Sequence, residues 1–192
     1  MRLVVGITGA SGCIYGKRLL QVLQKERVET HLVITDRAKR IIEQENGAVT
    51  EYVDLVSYSY DESDMDAPIV SGSFATDGMV IVPCSMKTLS SLASGYGNNC
   101  LTRAADVTLK ERRPLVIVPR ETPLSAIHLT NMLKLAKAGA VVLPAMPTFY
   151  NRPKTIDDLV NFVVGKILDA LRVDHDLYER WDSTRRRVAM FL

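Results

Sequence analysis

The stretch LVVGITGASG at residues 3–12 joins a continuous apolar run to a turn of small residues. A continuous run, rather than an alternating one, is typical of a strand buried on both faces of a parallel sheet. The chain repeats this arrangement in MVIVPCSMKT at residues 79–88 and in LVIVPRETPLS at residues 115–125. The repetition predicts three parallel strands whose following turns, at one edge of the sheet, hold a phosphorylated ligand among helix N-termini.

Apolar runs and helical patterns alternate along the rest of the chain. We predict strands at residues 2–8, 29–34, 78–82, 115–118 and 140–143, and helices at residues 14–26, 36–44, 102–112, 124–138 and 157–171, with another beginning near Lys87. This alternation predicts an α/β fold with one Rossmann-like, doubly wound parallel sheet and helices on both faces, three layers in all. The length of 192 residues suits a single domain covering residues 1–192.

Two segments lie outside this pattern. Residues 46–77 form a long, polar stretch without regular periodicity, and residues 172–192 contain an arginine run followed by VAMFL. The arginine run by itself is typical of a solvated surface. Long irregular segments of compact domains are commonly functional or contact a partner, and the apolar VAMFL sequence is unusual for a free tail. We predict that both segments take part in subunit contacts.

Composition excludes several classes of protein. The net charge of +2 is too small and too evenly distributed for a nucleic-acid-binding surface, and no apolar run is long enough to span a membrane. The three cysteines are odd in number and far apart, which is typical of reduced thiols and predicts a cytoplasmic protein. The sequence has neither H-E-x-x-H nor a Cys/His cluster, so we expect no metal site.

The turn at residues 9–12 differs from the dinucleotide-binding pattern G-x-G-x-x-G. We interpret Asp36 as the N-cap of a helix beginning at Arg37 rather than as an acid that binds a ribose. A mononucleotide is therefore favoured over NAD. We interpret Cys84, at the end of a strand, as a packing residue rather than a nucleophile.

Charged side chains mark two further places. Arg103, Asp106 and Lys110 are spaced three and four apart on a predicted helix, so they form either a salt-bridged surface stripe or part of a site. Arg120 and Glu121 directly follow a buried strand, where a charge pair faces the ligand crevice. Taken alone, these residues indicate an anionic mononucleotide and a second anionic substrate.

Motifs spread over nearly the whole chain resemble the flavin prenyltransferase family of the UbiX type, whose members have also been labelled aromatic acid decarboxylases. They are TGASG (8–12), PCSMKTL (83–89), RAADV (103–107), LKE (109–111), VPRE (118–121), IHL (127–129), NML (131–133), PAMP (144–147), FY (149–150) and ERW (179–181). The block between residues 103 and 133 is specific to this family.

The resemblance implies a transferase that attaches the dimethylallyl group of dimethylallyl phosphate to N5 and C6 of reduced FMN. The product, prenylated FMN, would serve a UbiD-type decarboxylase. Family members usually assemble as homododecamers whose sites are shared between subunits. A clamp of side chains on a monophosphate leaving group requires no magnesium ion.

The resemblance also implies roles for individual residues. FMN would be bound by Gly9, Ala10, Ser11, Thr35, Ser85, Met86, Lys87, Thr88 and Arg120. Dimethylallyl phosphate would be bound by Lys110, Tyr150 and Lys166, with Arg103 from a neighbouring subunit, and the catalytic groups would be Ser11, Glu45, Lys110 and Glu121. At position 166 many relatives carry arginine, whose bidentate fork lysine lacks.

Three other functions stay open at this point. An FMN-dependent cysteine decarboxylase would share the fold, but that type carries asparagine after Pro-Ala-Met, where this chain has Pro147. A non-enzymatic FMN carrier would need neither Glu45 nor Glu121. Direct decarboxylation of an aromatic acid by this chain alone is the third.

Overall fold

The structure is a computed structural model that describes residues 1–45 and 47–181. Its centre is a parallel sheet of six strands in the order β3-β2-β1-β4-β5-β6. The strands are β1 (Arg2–Ile7), β2 (Glu29–Ile34), β3 (Tyr58–Tyr60), β4 (Gly78–Cys84), β5 (Leu115–Pro119) and β6 (Val141–Val142). The helices are α1 (Cys13–Lys25), α2 (Asp36–Glu45), α3 (Thr50–Val53), α4 (Met86–Ala93), α5 (Cys100–Lys110), α6 (Ala126–Lys137) and α7 (Ile156–Leu171), with a 3₁₀ turn at Pro68–Val70.

Alternate residues of the central strands enter two separate cores. Val5 of β1 lies opposite Leu32 of β2 and Val80 of β4, and all three are fully buried in a core shared with α1, α2 and α7. Val4 and Ile81 point to the other face, into a core shared with α4, α5 and one side of α6. Burial of each such side chain contributes about 1.5–3 kcal/mol. Because strand side chains alternate, α5 and α7 lie on opposite faces of the sheet.

The strand order places the ligand crevice. The chain runs outward from β1 to β2 and β3, then returns to β4 on the other side of β1 and continues to β5 and β6. The order therefore reverses between β1 and β4, and the crevice outside the carboxyl ends of these strands is where open α/β sheets bind ligands. The predicted doubly wound, three-layer sheet is confirmed.

Three local predictions were wrong. Residues 47–77 are not irregular, because they contribute α3, the 3₁₀ turn and the edge strand β3, which pairs in parallel with β2. Asp36 is not an N-cap, since α2 begins at Asp36 and the Thr35 hydroxyl accepts a hydrogen bond from the N–H of Ala38 at 3.3 Å. Helix α5 begins two residues before the predicted start, because Asn99 caps it through a reciprocal pair of hydrogen bonds with Thr102.

Within the part of the chain that the structure describes, no helix combines the length and the apolar character that a membrane crossing needs. Residues 182–192, with the arginine run and the VAMFL sequence, lie outside the described residues. The prediction that residues 172–192 and 46–77 contact other subunits therefore stays a prediction.

Candidate active site

A cleft of about 500 Å³ opens at the carboxyl edge of the sheet, at the point where the strand order reverses. This volume lies within the range of small-molecule and cofactor sites. The turns after β1, β2, β4 and β5 all contribute to its wall. Of the residues predicted for the site, the lining includes Gly9, Ala10, Thr35, Ser85, Met86, Lys87, Thr88, Arg120 and Glu121.

Three helix N-termini meet at this cleft. Helix α2 begins beside Thr35, α4 begins after Ser85, and α5 begins after Asn99, and all three of these residues line the cleft. Ser85 Oγ accepts a hydrogen bond from Thr88 N at 3.3 Å, and Asn99 Oδ1 accepts one from Thr102 N at 2.9 Å. The positive ends of three helix dipoles therefore favour an anionic group in the cleft.

The turn after β4 is held by a buried threonine that the sequence reasoning did not assign to the site. Thr8 is fully buried at the end of β1. Its hydroxyl donates to the carbonyl of Pro83 at 2.9 Å and accepts from the N–H of Ser85 at 2.7 Å. These two bonds tie the β1 turn to the β4 turn and set the direction in which α4 starts. The sequence feature that could have identified Thr8 is its position as a hydroxyl residue directly before a glycine-rich turn.

Cations surround the cleft on several sides. Arg37, Lys87 and Arg120 all belong to its lining, and of these the sequence analysis missed Arg37. A Cβ atom added at Gly9 would lie 2.5 Å from Arg37 Cγ, so the absence of a side chain at Gly9 lets Arg37 cross the turn. The lining also contains the carboxylates of Asp36, Glu62 and Glu121, so the preference for a mononucleotide phosphate such as that of FMN rests on the three helix N-termini and on the placement of the cations rather than on net charge.

Glu45 occupies the N-terminus of α1. Its Oε2 accepts hydrogen bonds from the backbone N–H groups of Gly12 at 2.9 Å and Cys13 at 3.3 Å. The expectation that α1 presents free N–H groups to the ligand is therefore wrong, because a carboxylate of the protein already binds them. Helix α6 also differs from expectation: Ser125 and His128 cap its N-terminus, and neither belongs to the cleft lining.

Glu62 is a cleft residue that the sequence analysis did not single out. Its Oε1 accepts from the N–H of Asp36 at 2.8 Å, and its Oε2 accepts from Nδ2 of Asn99 at 2.9 Å. It therefore bridges the starts of α2 and α5 and adds a negative charge to the cleft wall. No sequence pattern marks it, because its segment joins the site only through the fold.

The residues predicted to bind the donor phosphate are not brought together within one chain. Arg103 and Lys110 lie on α5, where Arg103 pairs with Asp106 and Lys110 with Glu111. Lys166 lies on α7, across the sheet. Tyr150, just before α7, packs on that same side, and none of the four belongs to the cleft lining. The prediction of a salt-bridged stripe on α5 is confirmed for its Arg103–Asp106 pair.

The three cysteines are all unpaired and buried, and burial determines the protonation state of their thiols. Burial raises the pKa of the Cys84 thiol far above its ordinary value. It also raises the pKa of Cys13 and of Cys100 to about 12 each. A thiol that stays protonated is a poor nucleophile, which agrees with the interpretation of Cys84 as a packing residue. The described residues contain no group of His, Cys, Asp and Glu side chains able to hold a metal ion.

Comparison with known proteins also indicates a flavin-binding protein. The family model described as Flavoprotein matches residues 1–168. A flavin prenyltransferase UbiX from Methanocaldococcus jannaschii is 51% identical over 184 residues, which cover 95% of this chain and 100% of the relative. A dodecameric FMN-dependent UbiX-like decarboxylase from Escherichia coli O157:H7 is 49% identical with a TM-score of 0.93, covering 95% of this chain and 100% of that one.

A second solved structure contains FMN together with a prenyl donor. AnUbiX (PadA1), in complex with FMN and dimethylallyl pyrophosphate, is 46% identical with a TM-score of 0.93, covering 95% of this chain and 97% of that one. The FMN-dependent cysteine decarboxylase TvaF, at 21% identity and a TM-score of 0.60, covers 74% of this chain and 88% of its own, and shares the fold alone. The chain thus belongs to the flavoprotein family and, within it, to the flavin prenyltransferases of the UbiX type.

Proposed function

We propose that this protein transfers a dimethylallyl group from dimethylallyl phosphate to N5 and C6 of reduced FMN. One observation carries the proposal: a cleft sized for a mononucleotide lies at the point where the strand order reverses, with three helix N-termini and three cations in its wall. Membership of the UbiX family and the relative bound to FMN and dimethylallyl pyrophosphate support it. The prenylated product would supply a UbiD-type decarboxylase.

FMN binding is assigned to the turns after β1, β2, β4 and β5. Met86 and Lys87, at the start of α4, offer backbone N–H groups to the phosphate and ribityl chain. The side chains of Thr35, Ser85 and Thr88 offer hydroxyls. Gly9 and Ala10 supply a wall without bulky side chains, and Arg120 adds a guanidinium. When bound, reduced FMN supplies the nucleophilic positions of the reaction.

Binding of the donor requires groups that stabilise a leaving phosphate. As the allylic carbon–oxygen bond breaks, the phosphate oxygen takes the electron pair and gains negative charge, which Lys110, Tyr150 and Lys166 would hold together with Arg103. Because α5 and α7 lie on opposite faces of the sheet, we propose that a neighbouring copy supplies Arg103 and Lys110. This arrangement requires an oligomer, and a dodecamer is our proposal.

Proton transfers are assigned to two carboxylates. Glu121 lines the cleft at the end of β5, where it can exchange a proton with the flavin. Glu45 binds the turn after β1 and is not part of the cleft lining, and we assign it proton transfer at the departing phosphate. The Ser11 hydroxyl belongs to the same turn and is proposed to hydrogen-bond near flavin N5. The three unpaired cysteines favour a cytoplasmic location.

The test is anaerobic incubation of the protein with reduced FMN and dimethylallyl phosphate, followed by mass spectrometry of the released flavin. We expect a flavin heavier by one five-carbon unit. A parallel reaction with the diphosphate determines which donor the site accepts. Glu121→Ala is the matched control: it should bind FMN and leave it unmodified. Unmodified flavin with both donors, in wild-type protein that binds FMN, would contradict the proposal.

A further inference from the structure

The carboxylate of Asp169, near the end of α7, gathers four donors from the protein. Its Oδ1 accepts from Arg180 Nη2 at 2.8 Å and from His175 Nε2 at 3.1 Å. Its Oδ2 accepts from the Tyr178 hydroxyl at 2.5 Å and from Lys166 Nζ at 3.4 Å. Three of these donors belong to residues 175–181, which follow α7 without regular secondary structure. A single partly buried carboxylate, 22% exposed, therefore holds this segment on the helix.

Gly165 provides the space in which that segment lies. A Cβ atom added at Gly165 would lie 2.5 Å from Tyr178 Cδ1 and 2.9 Å from His175 Cε1. Real Cβ atoms do not approach other atoms this closely, so the rings of Tyr178 and His175 rest directly on the helix backbone. Glycine in the interior of α7 lowers helix propensity. The close approach of the segment gives a physical reason for glycine at this position.

Aromatic contacts connect the segment to the proposed donor site. The Tyr178 ring packs edge-on against Phe162 of α7 at 5.1 Å between centroids. The Tyr150 ring packs edge-on against both Phe162, at 6.2 Å, and Trp181, at 5.3 Å. Tyr150 is thereby held between the helix and the end of the segment. Lys166, which is also assigned to the donor phosphate, contacts Asp169 itself.

We propose that Asp169 and Gly165 are positioning residues for donor binding: they hold residues 175–181 against α7, so that Trp181 fixes Tyr150 beside Lys166. This proposal rests on the proposed function, because Tyr150 and Lys166 bind the donor phosphate only in that reaction. Asp169 accepts one N–H of Lys166, and an ammonium group has two further donors for a ligand. Asp169 therefore acts by orienting the Lys166 ammonium, the Tyr150 phenol and the Trp181 indole together, and it does not contact the substrate.

Trp181 is the single tryptophan of the chain, so its optical signals report the position of the segment directly. We expect Asp169→Asn in the full-length protein to lose most of the near-ultraviolet circular dichroism of the indole, and acrylamide quenching of its fluorescence to increase. Gly165→Ala should cause the same changes through steric displacement of Tyr178, although alanine favours the helix. Exposed Asp174→Asn, four residues before Tyr178, is the matched control and should behave as wild type.

Enzyme kinetics distinguish a positioning role of Asp169 and Gly165 from an effect on protein stability alone. In both variants the KM for dimethylallyl phosphate should rise about tenfold, as for loss of a charge-assisted hydrogen bond, while the affinity for FMN stays unchanged. Wild-type tryptophan signals in both variants, or displaced signals with an unchanged KM, would overturn the proposal. If the wild-type protein modifies no flavin, the proposed function fails, whereas the tryptophan signals still determine whether Asp169 and Gly165 hold the segment.

Discussion

Arg120 donates a hydrogen bond from Nε to the backbone carbonyl of Ser11 at 3.1 Å, across 109 positions of sequence. The bond joins the turn after β5 to the turn after β1, although β4 lies between these two strands in the sheet. The guanidinium has four more N–H donors on its Nη atoms. Arg120 therefore links two walls of the cleft and also presents positive charge to a ligand.

Arg120→Lys should weaken FMN binding about tenfold, or about 1.4 kcal/mol, because lysine keeps the charge but loses the planar fork. Titration of the protein with FMN, followed by flavin fluorescence, measures the change in Kd. Arg27→Lys, on an exposed turn before β2, is the matched control and should leave Kd unchanged. Equal Kd values for Arg120→Lys and wild type would contradict this assignment of Arg120.

Gly9→Ala should weaken FMN binding because its Cβ would lie 2.5 Å from Arg37 Cγ and force that side chain away from the turn. We expect a loss of about 1–3 kcal/mol, the cost of overpacking a tight contact. Gly97→Ala is the control, since its Cβ would meet its nearest atom, Arg103 Cα, at an ordinary 3.5 Å. The assignment of Gly9 is wrong if the two variants bind FMN equally well.

Glu62→Gln should improve the affinity for FMN relative to riboflavin, which lacks the phosphate. Removing one negative charge from the cleft wall reduces repulsion of the ligand phosphate by roughly 0.5–1 kcal/mol, which raises the ratio of the two affinities a few-fold. The ratio cancels any change in the packing of Asn99, because both ligands experience it. A ratio that stays constant or falls would show that Glu62 does not face the phosphate.

The cysteines should resist alkylation in the folded protein at pH 8. Burial raises the pKa of Cys13 and Cys100 to about 12, and that of Cys84 still further, so almost no thiolate is present. Iodoacetamide should therefore modify none of them until the protein is unfolded, as mass spectrometry will record.

In the unfolded chain these thiols ionise near pH 9. The contribution of the three buried thiols to the free energy of unfolding should therefore be fully present below pH 9. It should be lost as the pH rises from about 9 toward 12.

Rapid modification of the folded protein by iodoacetamide would contradict the predicted resistance to alkylation.

Cys84→Ala separates burial from chemistry, since it should reduce stability while leaving the rate of prenyl transfer per folded molecule unchanged. Loss of that rate in a folded Cys84→Ala variant would instead make the thiol part of the reaction.

The prediction from sequence succeeded where local pattern and structure coincide. Unbroken runs such as those ending at Thr8 and Pro83 require burial on both faces, and this requirement predicts both the strands and the positions of the turns that follow. Eight of the nine predicted residues that line the cleft come from such turns, whereas Thr35 follows β2 and was predicted from the family resemblance. Strand β3 was missed because three residues are too few for a periodic signal, and its pairing with β2 decides its structure.

The amino-acid sequence by itself determined the fold class, the family and the edge of the sheet at which the ligand lies, because these depend on hydrophobic periodicity and on motifs within short segments. Only the tertiary structure decided which charges meet. It placed Glu45 on the start of α1, brought Glu62 between α2 and α5, and put Arg103 and Lys166 on opposite faces of the sheet. These relationships join residues far apart in the chain, and they are determined by packing of the whole domain rather than by any local preference.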